Sequence, residues 1–254
     1  MEVALLNGLF VRMAGPREGT TLILLHAFAD SGSAFTPLFD TELASRFRMV
    51  VADLAGFGAS PPRPGLHTIA RHAAAVAELV SSSPGQGPVG LVAHSVASMI
   101  AVEAAPRLGA RFAGLFSIEG NLTAEDAYFS GRAADFNDPL TFKQRFLDDI
   151  WTMAQEQLPL RRYFASAVLA DPTAMWELGR DALRRSVDDQ PGLAYRRVHP
   201  SLYYWSQAST VESTRRWIVR SGIAQRQFTE GGHWPMVDKP GDTAAAIAAF
   251  FEHL

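Results

Sequence analysis

The stretch Gly90-Leu-Val-Ala-His-Ser95-Val-Ala97 places a serine where an apolar, strand-like run ends and a run of small, helix-like residues begins. Ala93 and Ala97 stand two positions before and two positions after it. A nucleophile on a sharp turn from strand to helix has an exposed Oγ and a strained backbone, and only small neighbours fit there. The helix also directs free N–H groups at the site, where they can stabilise an oxyanion. The stretch predicts Ser95 as a nucleophile, with a simple helix-capping serine as the alternative.

Strand-like and helix-like segments alternate on both sides of this turn. Four short apolar runs are typical of strands buried on both faces: Thr21–His26, Arg48–Asp53, Pro88–Ala93 and Phe112–Ile118. Two more short strands are predicted before them, at Val3–Asn7 and Leu9–Met13. Helices are predicted over Thr68–Ser82, where the breaker SSSPGQGP at residues 81–88 ends the helix, and over Val96–Leu108. The alternation predicts an α/β fold, with a mostly parallel central sheet and helices on both faces.

The pattern changes after this first part of the chain. Residues 121–197 contain no convincing strand, are rich in aromatic residues, and show helical stretches at Pro139–Gln157, Pro159–Ala170 and Pro172–Asp189. The alternation then resumes with a strand at Ser201–Ser206, a helix near Thr210–Gly222, a strand at Gln225–Thr229 and a helix from Pro240 to Phe251. We therefore predict a core of residues 1–120 and 198–254, and a helical cap inserted at residues 121–197.

Composition excludes several classes of protein. The 254 residues include no cysteine, which rules out disulfides, thiolate metal sites and a cysteine nucleophile. The formal net charge of −3 and the scattered arginines give no basis for nucleic-acid binding. The N-terminus lacks the pattern of a signal peptide, and no apolar stretch is long enough for a membrane span, so we expect a cytoplasmic protein without a membrane partner. No pair of histidines has ligand-like spacing with a nearby carboxylate, so neither a metal nor another cofactor is expected.

Three motifs together resemble the α/β-hydrolase family. The segment around Ser95 resembles its G-x-S-x-G nucleophile elbow, with alanine at both glycine positions. His26-Ala-Phe28-Ala-Asp30-Ser-Gly32 resembles its oxyanion loop, with Ala27 where glycine is usual. Glu230-Gly-Gly-His233-Trp-Pro-Met236 resembles its histidine loop. The resemblance implies His233 as the general base and the backbone N–H groups of Phe28 and Val96 as oxyanion donors.

A further match concerns residues to which we assign structural roles. Asp53-Leu-Ala-Gly56-Phe-Gly58-Ala-Ser60 resembles the family's D-x-x-G-x-G-x-S loop, and we interpret it as a tight structural turn. His26 is expected to make structural hydrogen bonds, and His94 to pack in the elbow. The other histidines, His67, His72, His199 and His253, are expected at the surface or as caps.

The third member of a catalytic triad would be a carboxylate that orients the imidazole. Most of the family has an aspartate after the strand that precedes the histidine strand, but no acid follows Tyr203-Tyr-Trp-Ser-Gln207 until Glu212. Some branches of the family, including one group of haloalkane dehalogenases, have their acid one strand after the nucleophile strand. Glu119 ends that strand here, so we favour Glu119, with Glu212 and Asp126 as the alternatives.

The resemblance implies a serine esterase-like enzyme that cleaves a small, partly apolar carboxylic ester through an acyl-enzyme. Phe28, Phe129, Trp151 and Trp234 are the expected substrate contacts. A serine nucleophile argues against dehalogenases and epoxide hydrolases of the family, which use aspartate. Thioesterase, lactonase, amidase, carbon–carbon bond hydrolase, lyase and cofactor-free dioxygenase activities stay open, as do a non-hydrolytic small-molecule binder and a structural protein with a degenerate site. The oligomeric state is also open.

Overall fold

A computed structural model describes residues 1–82 and 86–254. Within them, eight strands form one sheet in the order β1-β2-β4-β3-β5-β6-β7-β8. Strands β1 and β2 pair antiparallel and β2 pairs antiparallel with β4, whereas all other neighbours are parallel. The strands are β1 (Glu2–Leu6), β2 (Leu9–Ala14), β3 (Thr21–Leu25), β4 (Arg48–Ala52), β5 (Val89–His94), β6 (Phe112–Ile118), β7 (Ser201–Ser206) and β8 (Gln225–Phe228). The predicted α/β fold and its mostly parallel sheet are confirmed.

Helices cover the sheet and fill the region between β6 and β7. They are α1 (Leu43–Arg46), α2 (Ile69–Ser82), α3 (Ala97–Ala104), α4 (Pro139–Ala154), α5 (Leu158–Leu169), α6 (Pro172–Arg185), α7 (Gln190–Tyr195), α8 (Glu212–Ser221), α9 (Pro235–Asp238) and α10 (Pro240–Glu252). Short 3₁₀ helices occupy Gly32–Asp40, Ala105–Arg111, Ala124–Ala127, Ser130–Asp135 and Val187–Asp189. Residues 83–85, within the predicted breaker after α2, lie outside the described residues.

Two of the predicted helices end four residues earlier than expected. The helix predicted over Val96–Leu108 stops at Ala104 and continues as a 3₁₀ segment, in which Pro106 lacks an N–H and Gly109 has a φ of 55°. The helix predicted over Pro172–Asp189 stops at Arg185, because Asp188 and Asp189 adopt left-handed backbone angles. Both differences lie at helix ends, where a single local backbone change decides the boundary.

The central strands are buried on both faces, as their apolar runs require. Successive residues of β5 show this, since Leu91 belongs to one core cluster and Val92 to the other. The first cluster includes residues of α2, α3 and α4, and the second includes residues of α1 and α10. The outer strand β8 is short and mostly exposed, which suits its polar sequence QRQF. This layering fixes the carboxyl ends of β3, β5, β6 and β7 along one edge of the sheet.

Residues 121–197 contain helices and no strand among the elements described for them. Asp138 and Asp171 cap α4 and α6 by accepting hydrogen bonds from the backbone N–H groups of Thr141 and Ala174. Apolar side chains of α4, including Phe142 and Phe146, belong to the larger core cluster. We refer to residues 121–197 as the helical insertion.

Candidate active site

Ser95 lies on a strained turn between β5 and α3. Its φ is 57°, a left-handed value that costs a non-glycine residue on the order of 1–3 kcal/mol. The Ser95 N–H donates to the Ile118 carbonyl at 2.9 Å, which ties the turn to the end of β6. Ala93 and Ala97 are both 0% exposed, so larger side chains have no room at either position. The small residues noted in the sequence therefore have a steric reason.

Glu119 extends from the end of β6 to the histidine loop. Its Oε2 lies 3.2 Å from His233 Nδ1. Its Oε1 accepts hydrogen bonds from the Ser206 N–H at 2.8 Å and from the Thr210 hydroxyl at 2.9 Å. The end of β7 thus supplies two donors to the carboxylate where most of the family would have an acid.

The alternative acids are occupied elsewhere. Glu212 is exposed on α8 and forms ion pairs with Arg215 and Arg216. Asp126 accepts hydrogen bonds from the backbone N–H groups of Leu122 and Thr123 at 2.7 and 2.8 Å, and burial raises its pKa. Of the three candidates, the structure places Glu119 in contact with His233.

His94 contacts the histidine loop through its ring and through one hydrogen bond. It is fully buried, its ring centroid lies 4.6 Å from that of His233, and its Nε2 lies 2.7 Å from the His233 carbonyl oxygen. Burial, followed by the nearby His233, lowers the pKa of His94 well below its usual value. His94 is therefore neutral, and its Nε2–H donates to a carbonyl that can only accept.

The loop after β3 is held by two buried side chains. The His26 Nε2 accepts from the Leu54 N–H at 2.9 Å, so its Nδ1–H donates to the Ala27 carbonyl at 2.8 Å. Asp30 receives two hydrogen bonds from Arg162 of α5, at 2.9 and 2.8 Å. Burial opposes ionisation of Asp30, but Arg162 outweighs it and the pKa of Asp30 is lowered. The loop containing Phe28 is thus fixed between the core and the helical insertion.

Asp53 has the structural role expected of it. Its Oδ1 accepts from the Gly32 N–H at 2.7 Å and from Arg12 at 2.8 Å, and its Oδ2 accepts from the Ala59 N–H at 2.8 Å. Gly58 has a φ of 55°, and an added Cβ would lie 2.3 Å from the Asp53 carboxylate. Asp53 does not line the cavity described next.

A cavity of about 400 Å³ brings most of the predicted residues together. Ser95, His233 and Glu119 line it, as do Phe28, Val96, Phe129 and Trp234. Trp151, which was expected to contact the substrate, does not line the cavity. It is 52% exposed and packs on Phe164, with ring centroids 5.0 Å apart. The buried stripe of α4 runs through Phe142, Phe146 and Ile150 at steps of four residues, and Trp151 stands one position off it.

The histidines also require a correction. Four of them were expected at the surface or as caps, but His67 and His72 are buried, with 0% and 1% exposure. His199 and His253 are exposed. His72 falls on the same face of α2 as Ile69, Val76 and Leu79, which are buried. That spacing was the available signal for its burial.

Other cavity residues had no distinctive sequence pattern. Asn121, Tyr128 and Tyr163 line the cavity from the helical insertion. The Tyr163 hydroxyl donates to the Phe28 carbonyl at 2.8 Å across 135 residues of chain. Such a contact depends on how α5 packs against the core, which no local motif specifies.

Two further findings concern residues 1–82 and 86–254. No group of three or more histidine, aspartate or glutamate side chains in these ranges could hold a metal ion. No helix described in them is long and apolar enough to cross a membrane.

Comparison with known proteins decides the family. The model of the Alpha/beta hydrolase family matches residues 22–246 of this chain. The chain belongs to the alpha/beta hydrolase family. A probable lysophospholipase, BODYGUARD 2 of Arabidopsis thaliana, is 28% identical over an alignment of 105 residues. The match covers 38% of this alpha/beta hydrolase and 22% of that relative. The aligned part thus spans about a fifth of the relative's length.

Solved structures show the same fold at low sequence identity. A thermophilic esterase from Thermogutta terrifontis has a TM-score of 0.75 and 19% identity over 100% of this alpha/beta hydrolase and 99% of that chain. E-2-(acetamidomethylene)succinate hydrolase has a TM-score of 0.76 and 20% identity, covering 99% of both chains. The N-acyl homoserine lactonase AidH has a TM-score of 0.74 and 16% identity, covering 99% and 96%.

Proposed function

We propose that this alpha/beta hydrolase is a serine esterase that works through an acyl-enzyme. The observation that supports this most directly is the shared cavity, in which Ser95 on its strained turn lies with a His233 whose Nδ1 is 3.2 Å from buried Glu119. A serine, an imidazole and a carboxylate in this relation can activate a nucleophile. The esterase named among the similar structures agrees with the proposal at the level of the fold.

The proposed mechanism assigns one step to each group. His233 takes the Ser95 hydroxyl proton, Ser95 Oγ attacks the ester carbonyl, and the N–H groups of Phe28 and Val96 donate to the oxyanion. The protonated His233 then gives its proton to the departing alcohol. His233 then takes a proton from water, and the water oxygen attacks the acyl carbonyl. The bond from that carbon to Ser95 Oγ breaks, His233 returns the proton to Ser95 Oγ, and the acid is released. Glu119 stabilises the imidazolium and fixes its ring through Nδ1–H.

We further propose that the helical insertion, residues 121–197, acts as a cap over the cavity of a core formed by residues 1–120 and 198–254. Phe129, Leu160 and Tyr163 of the insertion line the same cavity as Ser95 and His233, which belong to the core. Closing a site in this way excludes water and limits the size of the substrate.

The cavity favours an uncharged, partly apolar substrate. Its volume of about 400 Å³ suits a small molecule. Among its described lining residues, the carboxylates of Glu119, Asp126 and Asp238 are present and no lysine or arginine is. A negatively charged acyl or alcohol group would face like charges without a cation to pair with. We therefore propose neutral esters, including lactones, as substrates.

The first test is covalent labelling with a fluorophosphonate, read by mass spectrometry of the modified peptide. We expect label on Ser95 in the wild type and none on that peptide in Ser95→Ala. Ser98→Ala is a matched control, because Ser98 is a buried serine one turn along in α3 and does not line the cavity. Its label should equal that of the wild type. The proposal is contradicted if the peptide that contains residue 95 is still labelled in Ser95→Ala. It is also contradicted if the folded wild type takes up no label.

Turnover provides the second test. Neutral short-chain nitrophenyl esters should be hydrolysed, and Ser95→Ala should lower kcat/KM by on the order of a thousandfold or more. Lactones and thioesters tested in parallel distinguish the acyl substrates that such a nucleophile can use. A Ser95→Ala variant with unchanged kcat/KM would eliminate the assignment.

A further inference from the structure

The polar side chains of the cavity differ in how their hydrogen bonds are used. Thr210 donates to Glu119, Ser209 lies 2.7 Å from the Ser206 hydroxyl, and Asp238 accepts from the Gly232 N–H at 2.8 Å. These contacts occupy the groups within the protein. They leave less capacity for hydrogen bonds to a bound molecule.

Asn121 differs from these three residues. It follows Glu119-Gly120 at the end of β6, lines the same cavity as Ser95 and His233, and is 3% exposed. Its side-chain nitrogen is buried and has no hydrogen-bond partner among residues 1–82 and 86–254. A buried donor without a partner is unfavourable, so a ligand that supplies an acceptor gains from the pairing.

The surroundings of Asn121 define which acceptor suits it. Glu119 and Asp126 lie in the same cavity wall, so a carboxylate or phosphate acceptor is repelled. Tyr128 lines the same cavity, and burial, followed by the carboxylates of Glu119 and Asp126, raises the pKa of its phenol, which stays uncharged. A neutral carbonyl oxygen can accept from the amide without meeting an opposing charge. The amide reaches this oxygen by rotation about its Cβ–Cγ bond, a soft torsion.

We propose that Asn121 determines specificity by donating a hydrogen bond from Nδ2 to a second, uncharged carbonyl oxygen of the substrate. The favoured substrates are then neutral esters or lactones that also contain an amide or ketone group. This inference rests on the proposed esterase function and adds a recognised group to it. Asn121 takes no part in the covalent steps, which involve Ser95 and His233.

The experiment compares pairs of esters of equal length, one with an amide or ketone carbonyl and one with methylene in its place. One set bears the carbonyl in the acyl part and another set in the alcohol part, which shows the side that faces Asn121. The wild type should prefer the carbonyl member of one set by about tenfold or more in kcat/KM. Asn121→Leu should abolish that preference, because kcat/KM for the carbonyl ester falls to that of its methylene partner.

Asn121→Asp provides an independent variant of nearly the same shape, in which a carboxylate replaces the donor. It should lower kcat/KM for the carbonyl ester at least as much as Asn121→Leu does, and it decides the matter if Asn121→Leu fails to fold. Gln157→Leu is the matched control, since Gln157 is an exposed amide at the same cavity and its removal should leave the preference unchanged.

Three outcomes would overturn the inference: a wild type without preference, a preference that survives in both Asn121 variants, or an equal loss for both members of each pair. Binding separates this result from the proposed function. In the Ser95→Ala background, the Kd of the carbonyl ester should be about tenfold below that of its methylene partner, and Asn121→Asp should remove the difference. Equal Kd values refute the role of Asn121 even if no ester is turned over, and a wild type without turnover refutes only the esterase.

Discussion

Glu119 depends on the hydroxyl of Thr210, in the segment that follows the neighbouring strand β7. Thr210 is 8% exposed and donates to Glu119 Oε1 at 2.9 Å, leaving Oε2 for His233. Thr210→Val has nearly the same shape but no donor. We expect kcat for a short ester to fall about tenfold with little change in KM, because a buried carboxylate that loses a hydrogen bond holds the imidazole less well.

Thr210→Ser is the matched control for that prediction. It keeps the hydroxyl and removes only a methyl group, so kcat should return to within about threefold of the wild type. Steady-state kinetics at one pH above 8, with thermal unfolding as a check on stability, measure both variants. A Thr210→Val enzyme with wild-type kcat would show that the hydrogen bond has only a structural effect.

The aromatic residues of the helical insertion give a prediction about substrate contact. Phe129 lines the cavity, whereas Trp151 lies outside it. Phe129→Ala should raise KM for an apolar ester several-fold, because it removes buried contact area worth about 25 cal/mol per Å². Trp151→Ala should leave kcat/KM within about twofold. Equal effects of the two substitutions on KM would mean that Trp151 reaches the substrate after all.

Among the structural elements, α5 fixes the loop that follows β3. Arg162 of α5 pairs with Asp30, which is 0% exposed and also accepts from Trp234 Nε1 at 2.9 Å. Arg162→Met leaves the Asp30 carboxylate buried without its cation. Removing one partner of such a pair costs about 3–5 kcal/mol, so the unfolding midpoint in urea should fall clearly. Ester hydrolysis should fall too, because the Phe28 N–H lies in the loop that Asp30 anchors.

Arg145→Gln is a suitable control for Arg162→Met. Arg145 is an exposed arginine of the adjacent helix α4, so its loss changes the net charge equally without unpairing a buried carboxylate. Its urea midpoint should stay within experimental error of the wild type. An Arg162→Met protein with an unchanged midpoint would mean that Asp30 becomes protonated or hydrated at little cost.

Local sequence was enough to predict the elements that present Ser95 and His233. A buried strand that ends in a small-x-Ser-x-small turn has few alternatives, and β6 was predicted with its observed bounds, Phe112–Ile118. Glu119 could be proposed from the sequence because no acid follows β7 before Glu212. The ion pair of Asp30 with Arg162 could not be predicted from the sequence, because it joins residues 132 positions apart through the packing of α5. Asn121 likewise has no pattern that marks its unpaired nitrogen.

At the scale of the whole molecule, the polar side chains of the candidate active site lie along one edge of the sheet. Ser95, Glu119 and the two donors of Glu119 follow β5, β6 and β7, which are parallel neighbours. Side chains at the ends of parallel strands need only short loops to meet, so these strands bring Glu119 and its two donors together. Several histidines are buried in the protein, among them His26, His72 and His94.

These buried histidines make the folded state sensitive to acid. Burial, together with nearby His67 and His26, lowers the pKa of His72 to about 3, and Asp181 only partly opposes this. The unfolded chain takes up a proton near pH 6.5, whereas the folded chain does not until about pH 3. Stability is therefore lost as the pH falls from 6.5 towards 3, by about 1.4 kcal/mol per pH unit for this group.

His72→Leu should remove that contribution. Between pH 7.5 and pH 5, the loss of unfolding free energy measured in urea should be smaller than in the wild type by about 2 kcal/mol. His253→Leu, at an exposed position near the C-terminus, should behave like the wild type. Because His26 and His94 also have lowered pKa values through burial, His72→Leu should keep part of the acid sensitivity. An unchanged difference between the two pH values in His72→Leu would mean that the buried imidazole is already charged, or hydrated, in the native protein.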